Sequence, residues 1–537
     1  MKKIILALLI LCANGFAQSD SLEDAMLSDN IFRHTKILAS DSLQGRGTGT
    51  IGQKKAEKYI IDELQKIGVK PANKNSFLQS IPMLGSKALP TSEFKVYSIS
   101  EHTLKLNDEY IVINSGTETF IPEAVDLVFA GFGITAPEYD YDDYFEIDVE
   151  GKMVLVFSDE PRSDDPKYFL GDEKSIYSSP DSKLRIALSK GALGVIIIPI
   201  EKTDSQFNWE YEKTAYQFEE IYLSSRMSAG FGAIINPEIV RYFLEGSGVN
   251  SESLLGLLET NSVRSFYLPA KVQFKGQFTS REFLSHNILG WVGSENNESW
   301  IVLSAHYDHL GVGNSVKGDT IYNGLNDNAL GVAVLLEIVS KLKTIETRLK
   351  RNILLLFITG EEKGLLGSAF YIQNPIVPLS KTILNINIDG VPFIDRYKSI
   401  EYIDGQNTNI GSYIKDFLKK SSLIVDEQPD FPQEKFKRSD QFSFIQAGVP
   451  SVLIQEGSKP FSKSVEEYNY LKRFYSEKIY HTPFDDLNQY INYDACADFA
   501  NLITDFTIFM ADNSTSPEII KGSPYHFLFL RNREYKK

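Results

Sequence analysis

The chain has 537 residues, 42% hydrophobic and 23% charged, which are globular values and too much sequence for one ordinary core; two or three domains are expected. The formal charge of -16 argues against a nucleic-acid partner and is read as solubility. Beyond the N-terminal segment, no stretch is long and apolar enough to span a bilayer, so no integral membrane span is expected.

The first residues read MKKIILALLILCANGFAQ. Two lysines precede a short apolar run, and small residues surround a cut after Ala17. This is the pattern of a signal peptide over residues 1–17, predicting export to the periplasm or the cell exterior. Cys12 offers a lipid anchor, but Leu11 is bulky where a small residue is expected. Cleavage would leave Cys496 as the lone thiol, expected as a small buried hydrophobe in a helix over Tyr493–Met510.

Ser21–Ser40 reads as helix. The turn ASDSLQGRGTGT follows, with Arg46 read as structural. Gln53–Ile67 has helical spacing and a stop at Gly68. Phe77–Ile113 reads as strands. Near residue 121 the character changes: DLVFAGFGI, GKMVLVFSDE and GALGVIIIPI are strands around one helix, Lys183–Lys190. This predicts a smaller, strand-rich domain over 121–275, inserted into a main domain of 18–120 and 276–537. Within it, Asp140, Asp142 and Asp143 lack the glycine and distal glutamate of a calcium loop, and a solvated acidic loop is expected. Lys271–Thr279 and Asn287–Val292 are strands leading back to the main domain. Ser422–Arg438 and Ser458–Lys478 read as loops over a site.

Three apolar runs, Trp300–Ala305, Asn352–Thr359 and Thr382–Ile388, are bounded by glycine and charge, as buried parallel strands are. Ala329–Leu342 is helical in spacing. Strand and helix alternate, so the fold class is α/β: a doubly wound, mixed but mainly parallel sheet with helices on both faces. In such sheets ligands bind beyond the carboxyl ends of the strands. His306 and Asp308, Asp327, Glu361 and Glu362, and Asp389 all follow strands or open helices, so one sheet edge collects them.

Each of these has an ordinary reading alone: a surface pair, a helix cap, helix N-terminal acid, a turn. Gathered, they conflict electrostatically. Two unit charges at ~4 Å repel by roughly 4 kcal/mol at an effective dielectric near 20. Several such carboxylates require cations among them. Imidazole with carboxylate suits zinc, and a shared carboxylate can hold two ions. Of two adjacent glutamates, one can ligate while the other serves as a base.

SAHYDHLG, GLNDNALG, TGEEKGLLGS, NIDG, RSDQFSF and YHTPFDDL, in that order, resemble the catalytic motifs of the secreted zinc aminopeptidases, whose wider group includes bacterial leucyl aminopeptidases, glutamate carboxypeptidase, glutaminyl cyclase and the transferrin receptor. ASDSLQGRGTGTIGQKKAEKYI resembles their N-terminal helix and turn, and residues 121–275 look like their protease-associated insert. The resemblance implies a zinc aminopeptidase-like fold and two zinc ions. His306 and Asp389 would bind one, Glu362 and His481 the other, and Asp327 would bridge them. Asp308 would stand behind the ligands. Glu361 would be the general base acting on a metal-bridging hydroxide, and Tyr480 would help hold the oxyanion. Arg438, Ser439 and Asp440 would line or support the substrate cavity. The implied reaction is removal of N-terminal residues from peptides. Carboxypeptidase, dipeptidase or glutaminyl cyclase action on the same scaffold is the alternative, as is a receptor-like protein without catalysis. Leu330, Gly390 and Gln441 depart from the residues frequent in the family, which bears on the pocket rather than the metals.

Overall fold

The computed structural model describes residues 25–114, 120–171, 174–200, 209–225, 230–260, 262–404, 406–426 and 436–534. The proposed signal peptide and the central part of Ser422–Arg438 lie outside these. The chain forms two compact units. Among the described residues, the first comprises those in 25–81, 284–426 and 436–534, and the second those in 82–283.

The first unit is built on strands β1 (Phe278–Val292), β2 (Trp300–His306), β3 (Asn352–Ile358), β4 (Thr382–Asn387), β5 (Ser399–Ile403) and β6 (Ser451–Glu456), in the order β1-β3-β2-β4-β6-β5. The central strands β3, β2, β4 and β6 are parallel. β1 joins β3 and β5 joins β6 antiparallel. Every residue of β3 is buried, because both sheet faces are covered. Ile301, Leu303, Ile353 and Leu355 enter one core with helices α1 (Ile51–Ile67) and α2 (Leu330–Thr344). The alternate residues Val302, Leu354 and Leu356 enter another with Tyr371 of α3 (Leu366–Gln373) and Phe444 of α4 (Gln441–Gln446). This alternation follows from the two-residue period of a strand. The sequence expectation of an α/β sheet with helices on both faces describes this unit.

Helix α2 is buried from Leu330 to Val339, since α5 (Tyr493–Asp512) packs into the same core. Cys496 on α5 is buried, as expected. Thr50 accepts the Gln53 N–H to start α1, and Gly68 ends it in the left-handed region (φ 81°). Much of Ser458–Lys478, expected as a loop, is helix over Val465–Lys478; Ser464 caps it by accepting the Glu467 N–H.

The second unit holds an eight-stranded sheet. Its centre is four parallel strands: Phe120–Phe129, Met153–Phe157, Gly194–Ile198 and Phe231–Ile235. It begins at Pro82, well before the expected residue 121, because Glu93–Tyr97 pairs with Phe266–Lys275 and Tyr110–Asn114 pairs with Phe231–Ile235. The acidic loop is not wholly solvated. Asp143 is buried and accepts the Phe132 and Ile134 N–H groups, so it holds a turn together. Among the described residues, no helix is long and apolar enough to cross a membrane.

Candidate active site

In the first unit, parallel pairing puts His306 beside Ile358 and Ser304 beside Asn387. The carboxyl ends of β2, β3 and β4 therefore coincide. His306 ends β2. Glu361 and Glu362 sit on a single helical turn, Glu361–Lys363, between Gly360 (φ 68°) and Gly364 (φ 92°). Asp389 lies two residues past β4. Asp327 arrives on the turn before α2. That turn needs Gly324 (φ 59°), where a Cβ would lie 2.1 Å from the Asp327 carbonyl oxygen. His481 comes from the segment between Val465–Lys478 and α5.

These residues converge. Asp327 turns one carboxylate oxygen to each of two histidines: Oδ1 lies 3.1 Å from His306 Nε2, and Oδ2 lies 3.1 Å from His481 Nε2. His306 Nε2 is also 3.5 Å from Asp389 Oδ1, and His481 Nε2 is 3.2 Å from Glu362 Oε2. Tetrahedral zinc with bonds of about 2.0–2.1 Å holds neighbouring ligand atoms about 3.3–3.4 Å apart. The spacings fit two such positions sharing Asp327. His306 Nε2 is buried without a hydrogen bond, although carboxylates face it on two sides. An imidazole nitrogen buried between carboxylates calls for positive charge there, a proton or a metal ion, so the residues present fit the metals the resemblance implied. Glu361 offers an oxygen within 4.8 Å of the donor atoms of both His306 and Asp389.

The charges agree. Burial opposes the positive form of His306, but Glu361 and Asp389 outweigh it and hold its proton well above the usual imidazole range. His481 rises to about 10, against burial, chiefly through Glu362 and its contact with Asp327. Burial would raise Asp327, yet His306 and His481 hold it well below the carboxylate range. Glu361 goes the other way: burial, reinforced by Asp389, Glu362 and Asp440 and only partly offset by His306, pushes its carboxyl well up. The two adjacent glutamates thus occupy opposite environments, Glu362 being held low by His481 and His309 despite burial.

The other expected residues take supporting places. The Asp308 carboxylate is fully buried; it accepts the Glu361 N–H (3.2 Å) and the Thr48 hydroxyl (2.9 Å). The Asp308 backbone oxygen, rather than its carboxylate, is the nearer to the His306 ring: His306 Nδ1 lies 3.2 Å from the former and 4.0 Å from the latter. Tyr480 stacks on His481 at 3.8 Å, and burial with Asp327 keeps its phenol protonated. Ser439 is buried and donates to Asp389 Oδ2 (2.5 Å). Asp440 is fully buried, which pushes its carboxyl to about 7. Both therefore support the site, and of the three pocket candidates only Arg438 is exposed.

Three contributors escaped the sequence reading. Asp485 accepts the Asn326 and Asp327 N–H groups (3.1–3.2 Å), tying the His481 segment to the Asp327 turn. Its signal was the first acid of YHTPFDDL. Asn328 donates to the Ile388 carbonyl (2.8 Å) and so links the Asp327 turn to the Asp389 strand end. His309, a third ionisable group in SAHYDHLG, is buried with Nδ1 2.6 Å from Glu362 Oε1. Arg46 proves structural, as read. Fully buried, it donates to the carbonyls of Tyr307 (2.9 Å), Leu38 (2.7 Å), Asn323 (2.6 Å) and Gly324 (2.9 Å). It thereby straps together the loops that carry His306 and Asp327.

A mainly parallel α/β sheet that gathers two imidazole–carboxylate sets beyond its strand ends defines a metal-site framework of the metallopeptidase kind. Residues 287–507 match the model of peptidase family M28. Aminopeptidase YwaD of Bacillus subtilis (strain 168) is 26% identical over 246 residues, 44% of this chain and 47% of that protein. A vacuolar membrane protease of Verticillium alfalfae is 31% identical over 90 residues, 17% of this chain and 8% of the protease. The chain thus spans at most about half the length of these relatives. Among solved structures, an aminopeptidase from Aneurinibacillus sp. strain AM-1 shares the fold, with a TM-score of 0.55 and 20% identity over 89% of this chain and 93% of that one.

Proposed function

We propose that this protein is a dinuclear zinc aminopeptidase that removes N-terminal residues from peptides. The observation that carries this reading is Asp327, whose two oxygens each face a different histidine at 3.1 Å. His306 and Asp389 complete one position, and Glu362 and His481 the other. Bound there, two divalent ions would supply charge that acidifies water and polarises the peptide carbonyl. Glu361 takes the proton of the attacking water and passes it to the leaving amine. Its raised carboxyl suits this exchange, since a base poised upward can also act as the acid. The Tyr480 phenol donates toward the developing oxyanion. Asp308 fixes the backbone of Glu361 and so positions the base. The aminopeptidase direction is supported by the Bacillus subtilis relative. The leader-like segment supports export, and the second unit is assigned as a protease-associated domain on its strand-rich sequence.

The test is a panel of free and N-blocked aminoacyl amides, assayed with and without added zinc. Zinc-dependent cleavage of the free-amine substrates alone is expected. Cleavage of a blocked peptide from its C-terminus would turn the assignment to a carboxypeptidase.

A further inference from the structure

We propose that His309 is a positioning residue for the second metal position, holding the Glu362 carboxylate through its Nδ1–H rather than ligating metal itself. The proposal rests on the two-metal reading above and extends it to a residue outside the five ligands. Two histidines compete for the role of third ligand beside Asp327 and Glu362, because the donor atoms of His309, Asp327 and Glu362 also lie within 4.8 Å of one another.

The distances separate them. His481 Nε2 is nearly equidistant from Asp327 Oδ2 and Glu362 Oε2, at 3.1 and 3.2 Å. That is close to the separation of two ligands on one ion, about 3.3–3.4 Å for tetrahedral zinc. His309 Nδ1 is 2.6 Å from Glu362 Oε1 but 3.9 Å from Asp327 Oδ2. The first distance is a charge-assisted hydrogen bond, too short for two ligands sharing an ion. It also engages the other oxygen of Glu362, leaving Oε2 for the metal.

The ring is fixed for this task. It is fully buried, and its backbone N–H donates to the Arg46 carbonyl (3.3 Å). It packs on the turn before Asp327 so closely that a Cβ on Gly324 would lie 2.5 Å from ring carbons. A carboxylate oxygen only accepts, so Nδ1 carries the proton; Nε2 is buried and makes no hydrogen bond. Groups that hold a ligand from behind typically contribute about 10–100-fold to metal affinity.

The test compares wild type with His309→Asn, His309→Gln and His309→Ala. The asparagine amide can place a donor near Nδ1; glutamine keeps bulk but reaches toward Nε2. Zinc stoichiometry and site affinities are read by competition with a chromogenic chelator, and the cobalt-substituted absorption spectrum reports each site. Loss of at least tenfold affinity at one of two sites in His309→Gln and His309→Ala, with His309→Asn near wild type, is expected. The glutamine–asparagine comparison stands even where the alanine variant fails to fold. Unchanged affinities in His309→Gln would overturn the proposal, and so would equal loss in asparagine and glutamine variants, which would make the ring itself a ligand. Wild type that takes up no zinc would instead remove the two-metal reading.

Discussion

At the scale of single residues, the site divides its carboxylates by environment. Glu361 and Glu362 are adjacent, yet burial and neighbouring acids push one up while two histidines hold the other down. Glu361→Gln keeps the shape and removes the base. It should retain zinc while kcat falls by about 10²–10⁴-fold; metal analysis alongside steady-state kinetics checks this, and undiminished turnover would remove Glu361 from the mechanism. Arg46 makes a different kind of demand. Its four carbonyl contacts match a planar guanidinium fork and not a lysine. Arg46→Lys should lower stability by about 3 kcal/mol, from charged-donor bonds lost in a buried place. Urea unfolding of the metal-free protein measures it, and a midpoint within error of wild type would refute the strap. Of the proposed ligands, His306, Glu362 and Asp389 were legible in the sequence because each follows an apolar run, whereas Asp327 and His481 rested on the resemblance of their motifs. His309 was not legible: the reading paired His306 with Asp308, and only packing shows that the ring two positions past Tyr307 turns toward Glu362.

At the scale of elements, the alternation of buried strand residues between two cores explains why so few residues specify the site. β2, β3 and β4 are buried on both faces, and their shared register brings His306, the glutamate turn and Asp389 level. The strands and α2 could be read from periodicity. Ser458–Lys478 was read as loop because its helix buries only Tyr468 and carries charge around most of its face. The Asp327 turn depends on α2 behind it. Leu335, fully buried there, should cost about 2–5 kcal/mol as alanine. The folded fraction should keep its zinc stoichiometry, because Leu335 lies away from the ligands. Thermal unfolding with metal analysis tests this; loss of zinc from well-folded protein would mean that α2 packing, and not only the turn, sets the site.

At the scale of the whole molecule, the chain divides into two units. The start of the second was hidden in the sequence, since Glu93–Tyr97 joins the sheet through Phe266–Lys275, far along the chain. Its buried Lys183 donates to the Phe132 (2.7 Å) and Asp159 (2.5 Å) carbonyls, and burial lowers its amine to about 8. The unfolded chain keeps that proton to near 10.5. Between these values the unfolded state binds more protons, so wild type should gain stability relative to Lys183→Met as pH rises from 8 to 10. Urea midpoints of the two proteins at both pH values test the sign, and a difference independent of pH would contradict it.

The most direct test of the two-metal account is zinc content per chain, measured before and after dialysis against a strong chelator, with hydrolysis of a free aminoacyl amide followed in parallel. The account predicts two zinc ions, complete loss of hydrolysis with the metal, and recovery of both on returning zinc. Hydrolysis that survives full removal of metal, or a chain that binds no zinc, would contradict it.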